Sequence, residues 1–153
     1  FMKDSEASAP TEARGKRTGD GSVRYEFPEI IQEDNEIIIK TVVEAREDVD
    51  GLKYGFYIKN TSNQILFGRN TAMYPGHKLR SLKRGQKEEV VWRFPAIFNE
   101  GEYYLSLGAS YNDIDYADRW DDLAEITRKT EYSNPFIVNP PIEVNIRDMK
   151  ASK

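Results

Sequence analysis

GEYYLSLGASYN, residues 101–112, is the longest run of strict two-residue alternation in this chain, and its reading decides the fold. Tyr103, Leu105, Leu107, Ala109 and Tyr111 fall on one face, which reads as a core face, so the stretch is predicted to be a central strand. Tyr104, Ser106, Gly108 and Ser110 fall on the other. That second face carries no charge and sets one aromatic ring among three small residues, leaving a shallow trough beside Tyr104. A flat polar ligand such as a sugar suits such a trough, stacking on the ring and hydrogen-bonding through its hydroxyls. A face covered by a loop or a partner would show the same pattern.

Outward from this strand, the chain is a succession of short β-type runs separated by turn signals. LKYGFYIKN (52–60) repeats the theme: Tyr54, Phe56 and Ile58 face the core, while Gly55, Tyr57 and Lys59 face out. SVRYEFPEIIQ (22–32) alternates through Val23, Tyr25 and Phe27 until Pro28 forces a break or an edge position. NEIIIKTVVEAR (35–46) is a β-branched strand, and EDVDG (47–51) is predicted to be a tight turn on its Asp50-Gly51 hairpin signal. A short strand holding Ile65 and Phe67 follows, before a Gly-Arg-Asn-Thr turn and a Tyr-Pro-Gly turn. QKEEVVWRF (86–94) places Val90, Trp92 and Phe94 inward and Arg93 outward, and Tyr103 stands where a tyrosine corner ties a phenol to upstream backbone. Residues 113–128 read as an acidic loop with one or two helical turns, because Leu123 and Ile126 have helical spacing. Strands at 136–138 and 142–147 end the chain, the last one detached by Pro140-Pro141 and free to pair with another copy. About eight strands with regular turns and almost no helix predict an antiparallel β-sandwich, with an up-and-down barrel as the alternative.

Bulk properties exclude several functions. A chain of 153 residues fits one domain with its own core. It has no Cys and a single His, so disulfide frameworks, thiolate metal sites and imidazole-rich zinc sites are out, and a reducing compartment is the natural setting. His77 lies in a Pro-Gly turn, without the Ser or Cys elbow that a catalytic base would serve. Net charge is -4, with both signs interspersed, so no basic stripe offers itself to nucleic acid. No apolar run reaches membrane-span length, and no phosphate-binding P-loop is present. Asn60-Thr61-Ser62 matches a glycosylation sequon, a tripeptide common by chance. The acidic cluster Asp113, Asp115, Asp118, Asp121 and Asp122 offers Ca²⁺ ligation or a glycosidase carboxylate pair, against a simple solvated loop; it lacks the Gly and Glu of an EF-hand. Trp92 is read as core, and Trp120 as an anchor for the acidic loop.

TGDGSVRY (18–25), LFGRNT (66–71), NEGEYYLSLGAS (99–110) and YADRWDD (116–122) followed by FIV (136–138) together resemble, in order, the C-terminal carbohydrate-binding domain of Wzt-type ABC-transporter ATPase subunits. The resemblance implies an immunoglobulin-like, jelly-roll-like sandwich that recognises the capped non-reducing end of a lipid-linked O-antigen polysaccharide before export. It implies a non-catalytic module in the cytoplasm, peripheral to the inner membrane through the transporter's membrane subunit. It also implies a homodimer formed by exchange of the last strand, 142–148, with ATP and Mg²⁺ confined to a separate nucleotide-binding domain and no cofactor here. Phe67, Asn70 and Thr71 would hold a turn, Tyr103 the corner, and Asp121 and Asp122 the return to the sheet. The expected organisation is a flexible linker at 1–20 that begins in a cloning remnant (Phe1 precedes Met2), the sandwich at 21–148, and a tail at 149–153. No binding residue transfers by motif. Strand alternation instead nominates Tyr57, Lys59, Arg93, Tyr104, Ser106 and Ser110 on one outward face: Tyr57 or Tyr104 to stack on a sugar, the serines to bond hydroxyls, and Lys59 or Arg93 to meet an acidic cap. An assembly sandwich working through its exposed edge, and an enzyme built on the acidic cluster, are the competing readings.

Overall fold

The computed structural model describes residues 15–33, 35–111, 115–130, 135–136 and 138–149. Ten strands are assigned among them: β1 (Lys16–Thr18), β2 (Val23–Tyr25), β3 (Glu29–Gln32), β4 (Glu36–Ala45), β5 (Val49–Lys59), β6 (Ile65–Asn70), β7 (Arg80–Leu82), β8 (Lys87–Pro95), β9 (Gly101–Ser110) and β10 (Tyr116–Arg128). All pairings are antiparallel. One sheet runs β1-β10-β9-β5-β6, with β7 pairing the start of β5; the other has β4 between β8 on one side and β2 and β3 on the other. The sandwich is therefore as predicted, and β9 sits in the middle of the larger sheet.

Alternation accounts for the core. Leu52, Tyr54, Phe56 and Ile58 of β5 and Tyr103, Leu105, Leu107 and Ala109 of β9 turn inward against Ile37, Ile39, Val43 and Trp92 of the other sheet. Phe56 stacks on Phe94 at 5.4 Å and meets Trp92 at 4.8 Å, while Phe67 packs on Phe98 at 5.7 Å, so aromatic contacts join the sheets near one end. Pro28 interrupts an edge as expected: β2 pairs with Val43–Ala45 and β3 with Ile37–Lys40, and the break lies between them. The corner forms too, with the Tyr103 hydroxyl donating to the Asn99 carbonyl at 2.7 Å. Asn70 accepts from the Ala72 amide at 2.9 Å and Thr71 from the Tyr54 amide at 3.1 Å, so this pair does hold a turn.

Four readings are corrected. Residues 116–128 form a strand rather than a helix-bearing loop; the helical spacing of Leu123 and Ile126 comes from a bulge. Trp120 pairs with Leu107 and Ala124 with Leu105, so three residues of β10 oppose Ser106 alone, and Asp122 takes φ 51°. Asp50-Gly51 is not a hairpin turn but an irregularity inside β5, opposite β7; the chain turns at 46–48 instead. The flexible linker expected through Asp20 does not hold for residues 16–18, because Lys16–Thr18 pair with Arg119–Asp121. The strand expected at 142–147 makes no ladder, and Val138 forms one isolated bridge to Phe98. Residues 1–14, 34, 112–114, 131–134, 137 and 150–153, including Asp113 of the acidic cluster and the middle of the strand expected at 136–138, lie outside the described residues.

The pairing of β1 has a polar cause. Asp118, 2% exposed, accepts from Arg17 Nε at 3.0 Å, Arg17 Nη2 at 2.7 Å and the Tyr25 amide at 2.9 Å. Arg17 also lies 3.9 Å above the ring of Trp120, which is buried as an anchor should be. Asp118 thus joins both sheets, and removing one partner leaves a buried charge unmatched. Asp118→Ala is expected to lower stability in urea unfolding by about 3 kcal/mol, whereas Tyr103→Phe should cost about 1 kcal/mol.

Candidate functional site

The outward face of the larger sheet carries a groove of about 460 Å³. Its floor follows from the sequence of the two central strands. Gly55 of β5 pairs directly with Gly108 of β9, and Gly68 of β6 pairs with Tyr57, so three outward positions in adjoining strands have no side chain. Tyr57, Tyr116, Arg119 and Asp121 rise on the β10 side, and Arg69, Asn70 and Met73 on the β6 side.

These glycines have different causes. A Cβ at Gly68 would overlap the Phe56 carbonyl and lie 2.7 Å from Tyr57 Cβ, so the strand pairing itself demands glycine. At Gly108 the nearest atom to a Cβ would be Cε1 of Tyr116 at 3.4 Å, an ordinary contact, and the backbone is not in the left-handed region. Glycine in a central strand is unfavourable by about 0.5–1 kcal/mol relative to alanine. Packing does not require it at Gly108, where the Tyr116 ring lies against the position a Cβ would take.

Polar groups on the wall are tied to one another. The Tyr57 hydroxyl donates to Asp121 Oδ1 at 2.8 Å, Arg119 Nε lies 3.4 Å from the same oxygen, and the guanidinium stands 5.3 Å over the Tyr116 ring. Its contact with the Tyr57 hydroxyl, and then the Asp121 charge, hold Arg119 above its ordinary pKa, so it is a permanent cation at the groove wall. Lys53, Arg69 and Arg119 face Asp121 as the one acid among the lining residues, a cationic balance on an acidic chain. Beneath the floor, the Tyr25 hydroxyl crosses from the other sheet to donate to the Gly108 carbonyl at 2.8 Å.

Of the six nominated residues, the structure brings five together. Tyr57 pairs with Ser106 and Lys59 with Tyr104, while Ser110 pairs with Lys53. Arg93 is corrected: it lies on β8 of the opposite sheet, 3.6 Å from Glu36, because a strand's outward residues share a face only with strands of its own sheet. Ser106 is recast as well. It is 2% exposed and its Oγ accepts the Asp122 amide at 2.9 Å, seating the bulge rather than presenting a hydroxyl to a ligand. Sequence reading missed Tyr116 and Arg119, and assigned Asp121 to the acidic cluster instead of this face, because two irregularities in β10 break the alternation that would have marked them. The acidic cluster does not form one site: Asp118 points inward to Arg17, whereas Asp121 faces the groove. No group of three metal-ligating side chains occurs among the described residues.

These features define a β-sandwich domain with one grooved sheet face. The Wzt C-terminal domain model matches residues 22–137, and the chain belongs to that family. A crystal structure of the C-terminal domain of wzt is similar with TM-score 0.75 and 20% identity over 90% of this chain and 91% of that one, a likeness in fold. Weaker likenesses are a β-glucosidase from Kluyveromyces marxianus (TM-score 0.46, 12% identity, 72% of this chain and 15% of that one) and β-glucosidase 3B from Thermotoga neapolitana in complex with glucose (0.41, 14%, 67% and 17%). A search of curated proteins gave no match.

Gly108→Ala is expected to keep or raise stability, by up to about 1 kcal/mol, whereas Gly68→Ala lowers it by about 2 kcal/mol; urea unfolding of both variants checks this. Lys59 supplies a pH dependence. Its burial opposes the charge, but the Asp122 carboxylate outweighs this and raises the pKa above the ordinary lysine value. The folded form therefore binds this proton more tightly than the unfolded chain. The stabilisation is complete below the ordinary lysine pKa and is lost as pH rises through the folded value. Lys59→Met should flatten the alkaline limb of the stability profile, read by urea unfolding as a function of pH.

Proposed function

We propose that this domain is a non-catalytic carbohydrate-recognition module of an O-antigen ABC exporter, whose groove takes the modified non-reducing terminus of the lipid-linked polysaccharide before export. The groove carries the reading: in a chain of this family, a glycine floor lets a sugar ring lie against backbone between Tyr57 and Tyr116, and the cationic wall suits an acidic cap. Tyr57, Ser110 and Arg119 are the binding residues of this reading, with Ser106 supporting them and Lys59 and Tyr104 beside them. The module works in the cytoplasm, docked to the transporter's membrane subunit, and needs no cofactor of its own; ATP and Mg²⁺ belong to the ATPase domain. No helix among the described residues is long and apolar enough to cross a membrane, which agrees with attachment through a separate subunit.

The same proposal includes a homodimer. Ile142, Val144 and Ile146 are 81%, 83% and 88% exposed and alternate with Glu143, Asn145 and Arg147, the pattern of a strand with no sheet. Exchange of 142–148 with a second copy covers this apolar row, and two grooves on one dimer strengthen a weak site through avidity.

Calorimetric titration with the delipidated polysaccharide of the source organism, its terminus intact or removed, tests the reading. Heat of binding only with the intact terminus is expected; silence with both forms would overturn it. Removing residues 140–149 should turn the sedimenting dimer into a monomer, and an unchanged mass would exclude exchange.

A further inference from the structure

A second hollow, of about 330 Å³, lies on the same sheet face, with Gly15 at its border and Lys59, Asn60, Thr61, Asn63, Tyr104 and Asp122 around it. It continues the groove along the strands. The groove is lined by Tyr57, Ser106 and Asp121, and the hollow by Lys59, Tyr104 and Asp122, the next outward positions of β5 and β9 and the next residue of the β10 bulge. Two residues along a strand span about 6.8 Å, a step on the scale of one sugar ring.

The hollow is a built feature. Asn63 (φ 62°) and Asp122 (φ 51°) are the two non-glycine residues with positive φ among the described residues, and both converge on the Lys59 ammonium. Lys59 Nζ donates to Asn63 Oδ1 at 2.7 Å and lies 2.8 Å from Asp122 Oδ1, fastening the hairpin turn of residues 60–64 to the β10 bulge. Its side chain is 12% exposed against 43% for Asp122, so a ligand would meet the carboxylate edge rather than the ammonium. Asn60 is spent within its own turn, its Oδ1 accepting from the Ser62 and Gln64 amides at 3.0 Å each. The lining thus presents the Tyr104 ring, the Thr61 hydroxyl, the Asn63 amide nitrogen and an acceptor edge of Asp122. Its one cation and one anion cancel, whereas the groove is cationic.

Resting on the carbohydrate reading of the groove, we infer that this hollow is a second subsite that holds a neutral pyranose, the sugar next to the terminal one. The domain reads two consecutive units: a charged or modified terminus in the groove and an uncharged neighbour on Tyr104. Neutral hydroxyls match the mixed donors and acceptors here, and an acidic sugar would face Asp122.

The test is a calorimetric series with one-, two- and three-unit oligosaccharides cut from the non-reducing end of the source organism's polysaccharide. Wild type should gain about tenfold in affinity from one unit to two and little from two to three. Tyr104→Leu and Asn63→Gly should each lose most of that gain while binding the one-unit fragment as wild type does. Glycine accepts the φ of residue 63, so the second variant keeps the turn. No gain from one unit to two, or equal weakening of both fragments in the variants, would overturn the second subsite while leaving the groove's function intact. If wild type binds none of the three, the carbohydrate reading itself fails and this inference with it.

Discussion

Two extra residues in β10, between Trp120 and Ala124, set the relation between core and surface. An insertion of two preserves the parity of the strand, so Asp118 and Trp120 before it and Ala124 and Ile126 after it all turn inward. The surplus is pushed outward as Asp121 and Asp122. Asp121 reaches Tyr57 and Arg119 at the groove, and Asp122 reaches Lys59 beside it. Ser106 holds the bulge by accepting the Asp122 amide, so a small polar residue on the central strand supports the whole wall. Leu123, the third residue of the bulge, turns into the core while its two neighbours face out.

The floor is fixed from below by the same economy of polar groups. Asp118 gathers Arg17 and the Tyr25 amide, and Tyr25 then spends its hydroxyl on the Gly108 carbonyl at the centre of the groove. Burial drives the pKa of this phenol well above its usual value, which keeps it a neutral donor. Each of these buried polar groups has a partner, so they cross-link the two sheets without leaving a charge unmatched. A preorganised floor matters for a weak polar ligand, because little ordering is left for binding to accomplish.

The two outer faces of the sandwich have diverged. On the smaller sheet, Arg93 pairs with Glu36 and Lys87 with Glu26, ion pairs largely open to water that contribute little to stability. On the larger sheet, glycines, tyrosines and mutually bonded charges replace that solvated pattern. The distinction explains why a charge alternating correctly on β8 had no part in the groove.

The sequence by itself determined the sandwich, the central place of β9, the inward and outward faces of β5 and β9, the edge break at Pro28 and the corner at Tyr103. These depend on two-residue periodicity and on the local chemistry of proline and tyrosine, which a chain displays residue by residue. Tertiary structure alone decided which strands share a sheet, and so assembled Tyr57, Lys59, Tyr104, Ser106 and Ser110 while setting Arg93 apart. It also decided that 116–128 is a strand, because irregularities opposite Ser110 and Ser106 erase the periodicity that sequence reading depends on. Strand neighbours are chosen by contacts between residues far apart in the chain, such as Arg17 with Asp118, and no local pattern encodes that choice.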